Sequence, residues 1–187
     1  SALLGFSVCE QLLAELNLDV RSTPSDWLLD SAEDLMLKAG LQRSELDAIA
    51  VVRGPGSFTG LRVGLATAKG LALATGCPLL GVSSLQTLAM QAPYSRMPVC
   101  VMLDARKKEV YAAVYSWESG RLQMVSPERV LKPDVLLGEI SGENLFIGSG
   151  GVAYKTLIVR SLGAKAHFPP SMLNLPRAGA AAALALL

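Results

Sequence analysis

Apolar and polar positions along the chain repeat with the periods of strands and helices, which predicts an α/β fold. Four short apolar runs in the first half are predicted strands: 2–8, 12–18, 48–52 and 79–82. Three segments with helical spacing accompany them: 25–40, 59–75 and 83–90. The run 12–18 fits a helix as well as a strand. Ser25 as N-cap and Gly40 as C-cap bound the first helix.

The same order of elements starts again after residues 92–98. Predicted strands follow at 99–103, 109–115, 121–125, 144–147 and 164–168, and predicted helices at 133–140, 152–162 and from about 176. The second half therefore has the order βββαβαβα and the first half ββαβαβα, the same series without its opening strand. This duplication predicts two half-size α/β lobes, residues 1–95 and 96–187, with the first strand of the first lobe missing from the chain.

Composition narrows the class of protein. Apolar residues make up 51% of the 187 residues and charged residues 18%, which excludes a disordered chain. The longest apolar stretch is the ten residues 178–187, whereas a membrane-spanning helix needs about 20. Three cysteines at unrelated spacings suit reduced thiols and a cytoplasmic location. The net charge of +1, with one basic cluster at 106–108, indicates that another chain would hold most of any bound RNA.

The most specific segment, residues 53–72, joins a strand, a glycine-rich turn and a helix. Such a turn offers backbone N–H groups and a helix N-terminus to an anion. It is not a Walker P-loop, because no Gly-Lys-Ser/Thr closes it and Lys69 lies more than two helical turns downstream. The competing interpretation is a plain, tight connection between strand and helix.

Small residues recur every four positions along the helix that follows: Gly60, Gly64, Ala68, Ala72 and Gly76. Glycine inside a helix costs about 1 kcal/mol relative to alanine, so close approach of another backbone is expected. That backbone belongs either to the chain's own sheet or to another subunit, and the excess of apolar surface favours a partner. Trp27, Leu29 and Leu37, outside the main apolar face of the preceding helix, also suit an interface.

The run 54–72 closely resembles the signature of the bacterial TsaB (YeaZ) family, and 81–85, 104–115 and 148–150 match further segments of that family. The resemblance covers nearly the whole chain. It implies the actin-like ATPase (ASKHA) superfamily fold, built from two ribonuclease-H-like lobes. It also implies a cytoplasmic, non-catalytic subunit of the complex that makes tRNA threonylcarbamoyladenosine (t6A).

The resemblance further implies partners and a surface for them. The expected partners are a TsaD-like catalytic subunit, bound and activated in a heterodimer, a TsaE-like ATPase, and a second copy of the chain when it is alone. The chain would reach tRNA only indirectly and would bind no membrane. The implied pairing surface is carried by helices 26–38 and 59–74. Its residues are Trp27, Leu28, Asp30, Ser31, Asp34, Leu35, Gly60, Arg62, Val63, Gly64, Thr67, Ala68 and Leu71.

The alternative function is an autonomous nucleotide-binding ATPase or transferase that uses the cleft between the lobes. Its candidate contacts are Gly54, Pro55, Gly56, Ser57, Asp104, Gly148, Ser149 and Gly150. The single carboxylate of Asp104 is too little for a magnesium-nucleotide site, and its pairing with Arg106 or Lys107 is the competing interpretation. We therefore expect no metal site and no firmly bound cofactor, with weak binding of ATP or ADP with Mg²⁺ at most in the complex.

Other catalytic chemistry has little support in the sequence. His167 is the single histidine, which argues against a zinc peptidase, since such sites need about three ligands. No Gly-x-Ser-x-Gly motif of a serine hydrolase occurs. Tyr111 and Tyr115 lie on the same side of a predicted strand, and we expect them in a core or an interface and not as base-stacking platforms.

Overall fold

The computed structural model describes the backbone of residues 2–8, 11–18 and 27–187 and the side chains of residues 11–18 and 27–187. Strands and helices alternate within these ranges, which confirms the α/β class. Contacts divide the chain into two compact units, Ser1–Ser84 with Arg177–Leu187, and Leu85–Pro176. These units differ from the predicted lobe bounds at residues 85–95 and 177–187.

Nine strands and seven α-helices are formed by the residues that the structure describes. The strands are β1 Ala2–Val8, β2 Gln11–Leu18, β3 Ile49–Gly54, β4 Leu79–Ser83, β5 Val99–Arg106, β6 Glu109–Glu118, β7 Arg121–Leu131, β8 Asn144–Ile147 and β9 Ala166–His167. The helices are α1 Leu28–Ala39, α2 Phe58–Thr75, α3 Ser84–Ala89, α4 Pro133–Glu139, α5 Ser149–Ala153, α6 Lys155–Leu162 and α7 Ala178–Ala185. Within the described ranges, no helix combines the length and the apolar content that crossing a membrane requires.

The first unit holds two separate two-stranded sheets. Strands β1 and β2 pair antiparallel, so the ambiguous run 12–18 is a strand. Strands β3 and β4 pair parallel, with α2 as the connection between them. Helix α1 packs against β1 and β2, whereas α2 packs against β3 and β4.

Local sequence signals set the ends of the first-unit helices. Gly40 ends α1 and Gly76 ends α2, with φ values of 70° and 75° in the left-handed region that glycine enters freely. Ser57 begins α2, and its hydroxyl oxygen accepts a hydrogen bond from the Gly60 N–H at 3.5 Å. The predicted N-cap of α1, Ser25, lies outside the described residues, and Trp27 is at the N-cap position.

The second unit is built on one five-stranded sheet with the order β7-β6-β5-β8-β9. Alternate residues of its central strand face opposite sides, as strand geometry requires. Val99 and Val101 of β5 belong to a core cluster with Leu85 and Leu88 of α3. Cys100 and Met102 belong to a second cluster, which includes residues of α4 and α6. Both faces of this sheet are therefore covered.

Strands β5 and β6 each extend three residues beyond their predicted ends. Three other second-unit elements also differ from their predicted bounds. The helix predicted over 152–162 is two helices, because Tyr154 leaves helical geometry at φ −104° and ψ 16°. The strand predicted over 164–168 is reduced to β9, because a 3₁₀ turn occupies Gly163–Lys165. The strand predicted over 121–125 continues to Leu131, because its pairing with β6 passes through bulges without ending.

Helix α7 packs on the first unit although it follows the second unit in sequence. The Gly179 N–H donates to Oε1 of Glu15 on β2 at 2.8 Å, and Arg177 lies 4.0 Å from the other oxygen of that carboxylate. A Cβ at position 179 would lie 3.1 Å from Cδ2 of Leu12, so the glycine permits this close approach. These contacts explain why residues 177–187 belong to the first unit.

Candidate partner surface and glycine turns

The glycine turn of the first unit connects β3 to α2 and packs against the start of α2. Gly54 has a φ of 116°, which glycine adopts without strain. A Cβ at Gly54 would lie 3.1 Å from Cδ1 of Leu61, in the first turn of α2. A Cβ at Gly56 would lie 3.9 Å from the same atom, an ordinary contact distance. The turn is thus closed against α2 on one side, and anion contact by 54–57 stays a prediction.

Helix α2 is poorly covered for an apolar helix. Ala68 is its one buried residue, and Phe58 and Leu73 are 73% and 87% exposed. A Cβ at Gly64 or Gly70 would meet no atom within 4 Å in the part of the chain that the structure describes. The chain's own packing therefore does not require glycine at these two positions, although glycine inside a helix is costly.

Helix α1 buries only some of its apolar residues. Leu28, Ala32 and Met36 are buried on one side. Leu29 and Leu37, which the sequence placed outside that face, are both exposed, Leu37 to 79%. Helices α1 and α2 of the first unit thus both carry large apolar side chains in contact with solvent.

The predicted pairing residues fall into three groups by exposure. Asp30, Asp34 and Arg62 are exposed; Trp27, Ser31, Leu35, Gly60, Val63, Gly64, Thr67 and Leu71 are half-buried; Leu28 and Ala68 are buried in the first unit. The exposed and half-buried residues are accessible in part, whereas Leu28 and Ala68 contribute to the unit's own packing. Their role at an interface stays a prediction. Sequence reasoning missed Phe58 and Leu73, whose exposure follows only from knowing which side of α2 faces the strands.

In the second unit, the glycines of the turn after β8 serve its contact with β5. A Cβ at Gly148 would lie 2.4 Å from the Met102 carbonyl oxygen, and one at Gly150 would lie 2.9 Å from Met102 Cβ. The Ser149 hydroxyl oxygen accepts a hydrogen bond from the Asp104 N–H at 3.1 Å. The space beside these glycines is filled by β5, so the turn's glycines are explained without a ligand.

Asp104 is exposed at the end of β5 and bonds to its own turn. Its Oδ1 accepts a hydrogen bond from the backbone N–H of Arg106 at 2.9 Å. This is the expected pairing with Arg106, made through the backbone and not through the guanidinium group. No group of three potential metal ligands occurs among the described residues. Contact of Asp104 and Gly148–Gly150 with a nucleotide stays a prediction.

The remaining candidate residues have structural surroundings. Tyr115 is fully buried, its hydroxyl donates to Glu128 at 2.9 Å, and Tyr111 packs against the same core cluster. Of the two expected surroundings, a core or an interface, both tyrosines have the core. His167 is half-buried at the edge strand β9, with Nε2 3.7 Å from a Glu143 carboxylate oxygen.

Comparison with known proteins gives a consistent result. Residues 21–182 match the family model described as TsaD, tRNA N6-adenosine threonylcarbamoyltransferase. The chain is 38% identical to the tRNA threonylcarbamoyladenosine biosynthesis protein TsaB of Escherichia coli K12 over 136 residues, 70% of this chain and 59% of that protein. Identity to the Bacillus subtilis 168 protein of the same name is 30% over 179 residues, 93% of this chain and 78% of that protein.

A solved structure shows the same architecture. YeaZ from Pseudomonas aeruginosa superposes with a TM-score of 0.80 at 30% identity, over 98% of this chain and 84% of that one. With the TsaD family match, this confirms the expected actin-like ATPase superfamily fold.

Proposed function

This chain belongs to the TsaB (YeaZ) family, and from that premise we propose that it is an accessory subunit in tRNA t6A biosynthesis. In this proposal the chain binds a TsaD-like catalytic subunit and stabilises its competent conformation, and a TsaE-like ATPase joins the pair. The chain is not an enzyme on its own, and without its partners it forms a homodimer. Its place of action is the cytoplasm.

The incomplete burial of helix α2 is the observation that carries this proposal. An 18-residue helix rich in leucine, alanine and glycine has a single buried residue in the isolated chain. Covering a large apolar side chain contributes about 1.5–3 kcal/mol, so association that covers several of them is favourable. No described residue fills the space beside Gly64, which suits the close approach of another backbone.

The accessory role is supported by the chemistry of the second unit. The glycines at 148 and 150 pack against β5, and the Asp104 carboxylate accepts a backbone hydrogen bond. Neither arrangement needs a nucleotide. In this proposal ATP or ADP with Mg²⁺ binds weakly at most, and only in the complex.

The test is Gly64→Leu, with Gly70→Leu as the matched control. Both changes raise helix propensity by about 0.8–1 kcal/mol, and neither Cβ meets a described atom within 4 Å, so both variants should fold. The two positions point about 120° apart around α2. We expect Gly64→Leu to abolish co-purification with the TsaD-like partner and Gly70→Leu to leave it within about twofold of the parent.

Three outcomes would contradict the proposal. If Gly64→Leu co-purified with the partner as the parent does, the Gly64 side of α2 would not be the binding surface. Loss in the control variant alone would move the contact to the other side of α2. Tight ATP binding by the isolated chain, measured by calorimetry, would favour the alternative of an autonomous nucleotide-binding enzyme. Solution mass measurement of the same variants tests whether self-association uses the same surface.

A further inference from the structure

The turn between β5 and β6 carries three consecutive basic residues, Arg106, Lys107 and Lys108, all in the left-handed backbone region. Their φ values are 63°, 49° and 62°. Residues other than glycine, asparagine and aspartate rarely adopt this conformation, which costs an L-residue about 1–2 kcal/mol. We call these three residues the basic turn.

Hairpin geometry explains the backbone of the basic turn but not its residues. Arg106 pairs with Glu109, so Lys107 and Lys108 form a two-residue loop. Positive φ at both positions is the feature of the type I′ turn, which matches the twist of paired strands and favours Asn-Gly. Arg106 lies at a register shift, where a bulge residue takes the left-handed conformation. Glycine or asparagine would satisfy all three positions at lower cost.

The neighbouring hairpin provides an internal reference. Strands β6 and β7 are joined through the pair Glu118–Arg121 by another two-residue loop, Ser119-Gly120. Its φ values are 50° and 77°, close to those of Lys107 and Lys108. The same unit thus closes a similar turn with a glycine and a small polar residue. The turn geometry therefore does not require basic residues in the first hairpin.

The surroundings of the three basic side chains favour an anionic partner outside the chain. All three residues are exposed. Within the described part of the chain, no carboxylate lies within ion-pair distance of them. The nearest acid in sequence, Asp104, directs Oδ1 to the Arg106 backbone N–H. That bond and the Ser149 contact hold the turn in place on the second unit.

We propose that the basic turn binds phosphate groups of RNA, an inference that rests on the proposed function in tRNA modification. An arginine beside two lysines suits phosphate, because a guanidinium binds two phosphate oxygens at once and lysines add point charges. The net charge of the whole chain is only +1. The RNA contact of the basic turn is therefore local, and the TsaD-like partner makes the larger RNA contact. It adds a limited direct contact where the resemblance implied an indirect one.

The test replaces Lys107 and Lys108 by the residues of the neighbouring loop, Ser119-Gly120, in the double variant Lys107→Ser with Lys108→Gly. The assembled complex with its TsaD-like partner is titrated with tRNA between 0.05 and about 0.3 M salt, as phosphate contacts require. We expect tRNA affinity to fall about tenfold and the salt slope to decrease by about 2, one for each lysine. Because the new loop suits the turn, the Tm of the variant should rise by about 2–4 °C.

The control is Lys132→Ser with Lys165→Ser, which removes the same charge from exposed positions elsewhere in the second unit. It should leave affinity within about twofold of the parent. An equal loss in the control, or unchanged affinity in the turn variant, overturns the inference. Co-purification is measured in the same samples. Loss of the partner by the turn variant would assign the turn to protein contact, whereas failure of the parent to bind its partner would contradict the proposed function instead.

Discussion

The central strand of the second unit and the parallel strands of the first unit differ in how well they are covered. Residues Val99 to Met102 of β5 are 0% exposed. Strands β3 and β4 form a parallel pair, yet Ala50 is exposed and Leu80 is 37% exposed. Parallel strands are normally buried on both faces. The second unit buries these four residues of its central strand completely, whereas the first unit leaves its parallel pair partly exposed, which suits association.

The largest effect expected from this difference is on matched phenylalanines. Phe146 is fully buried, with its ring centroid 5.9 Å from that of Phe168. Phe146→Ala should lower the free energy of unfolding by about 3–5 kcal/mol. Phe58→Ala, at a position 73% exposed beside Arg62, should lower it by about 1 kcal/mol or less. Urea unfolding followed by circular dichroism, at equal protein concentration, measures both. Equal losses would end the distinction between the units.

A smaller effect is expected where β5 meets the glycine turn. Gly148→Ala places a Cβ 2.4 Å from the Met102 carbonyl oxygen at a φ of 103°, so we expect a loss of about 2–4 kcal/mol. Gly142 also has a positive φ, 73°, but a Cβ there would have no atom of the described residues within 4 Å. Gly142→Ala should lose about 1 kcal/mol, from backbone conformation alone. If the two variants were equally stable by urea unfolding, close packing of the turn on β5 would be refuted.

The smallest predicted effect is on the pH dependence of stability, which tests the burial of Cys100 in the second unit. Burial raises the pKa of the Cys100 thiol from 9.0 to about 12. Above pH 9 the unfolded chain releases this proton and the folded chain retains it, so stability falls between pH 9 and 12. Between pH 8 and 10 the parent should lose about 1.4 kcal/mol more than Cys100→Ala. Identical pH dependence of the two unfolding midpoints would show that the thiol is not buried as described.

Sequence signals predicted the elements well where they are local. Gly40 ends α1 as expected, because capping depends on residues within one turn. The helix predicted over 59–75 is observed as Phe58–Thr75. The strand Asn144–Ile147 has the predicted bounds. Sequence could not predict the break at Tyr154, because 152–162 keeps a continuous helical spacing of apolar residues through that point.

Contacts between residues far apart in the chain could not be predicted from the local sequence pattern. Nothing near Gly179 indicates that its N–H pairs with Glu15, so the last helix was expected in the second lobe. The candidate site likewise has a part that the sequence predicted and a part that it did not. Helices α1 and α2 were identified from their apolar excess and small residues, whereas the packing of Gly148 against Met102 required the backbone positions of two strands.

The bond between Gly179 and Glu15 spans 164 residues and has a consequence for how the chain folds during synthesis. The second unit, Leu85–Pro176, is continuous in sequence, so all of its contacts become available once residue 176 has left the ribosome. The first unit gains its last helix only afterwards. Because closing such a long loop is entropically costly and slow, the second unit should fold first, and the first unit should stay incomplete until translation has passed residue 185.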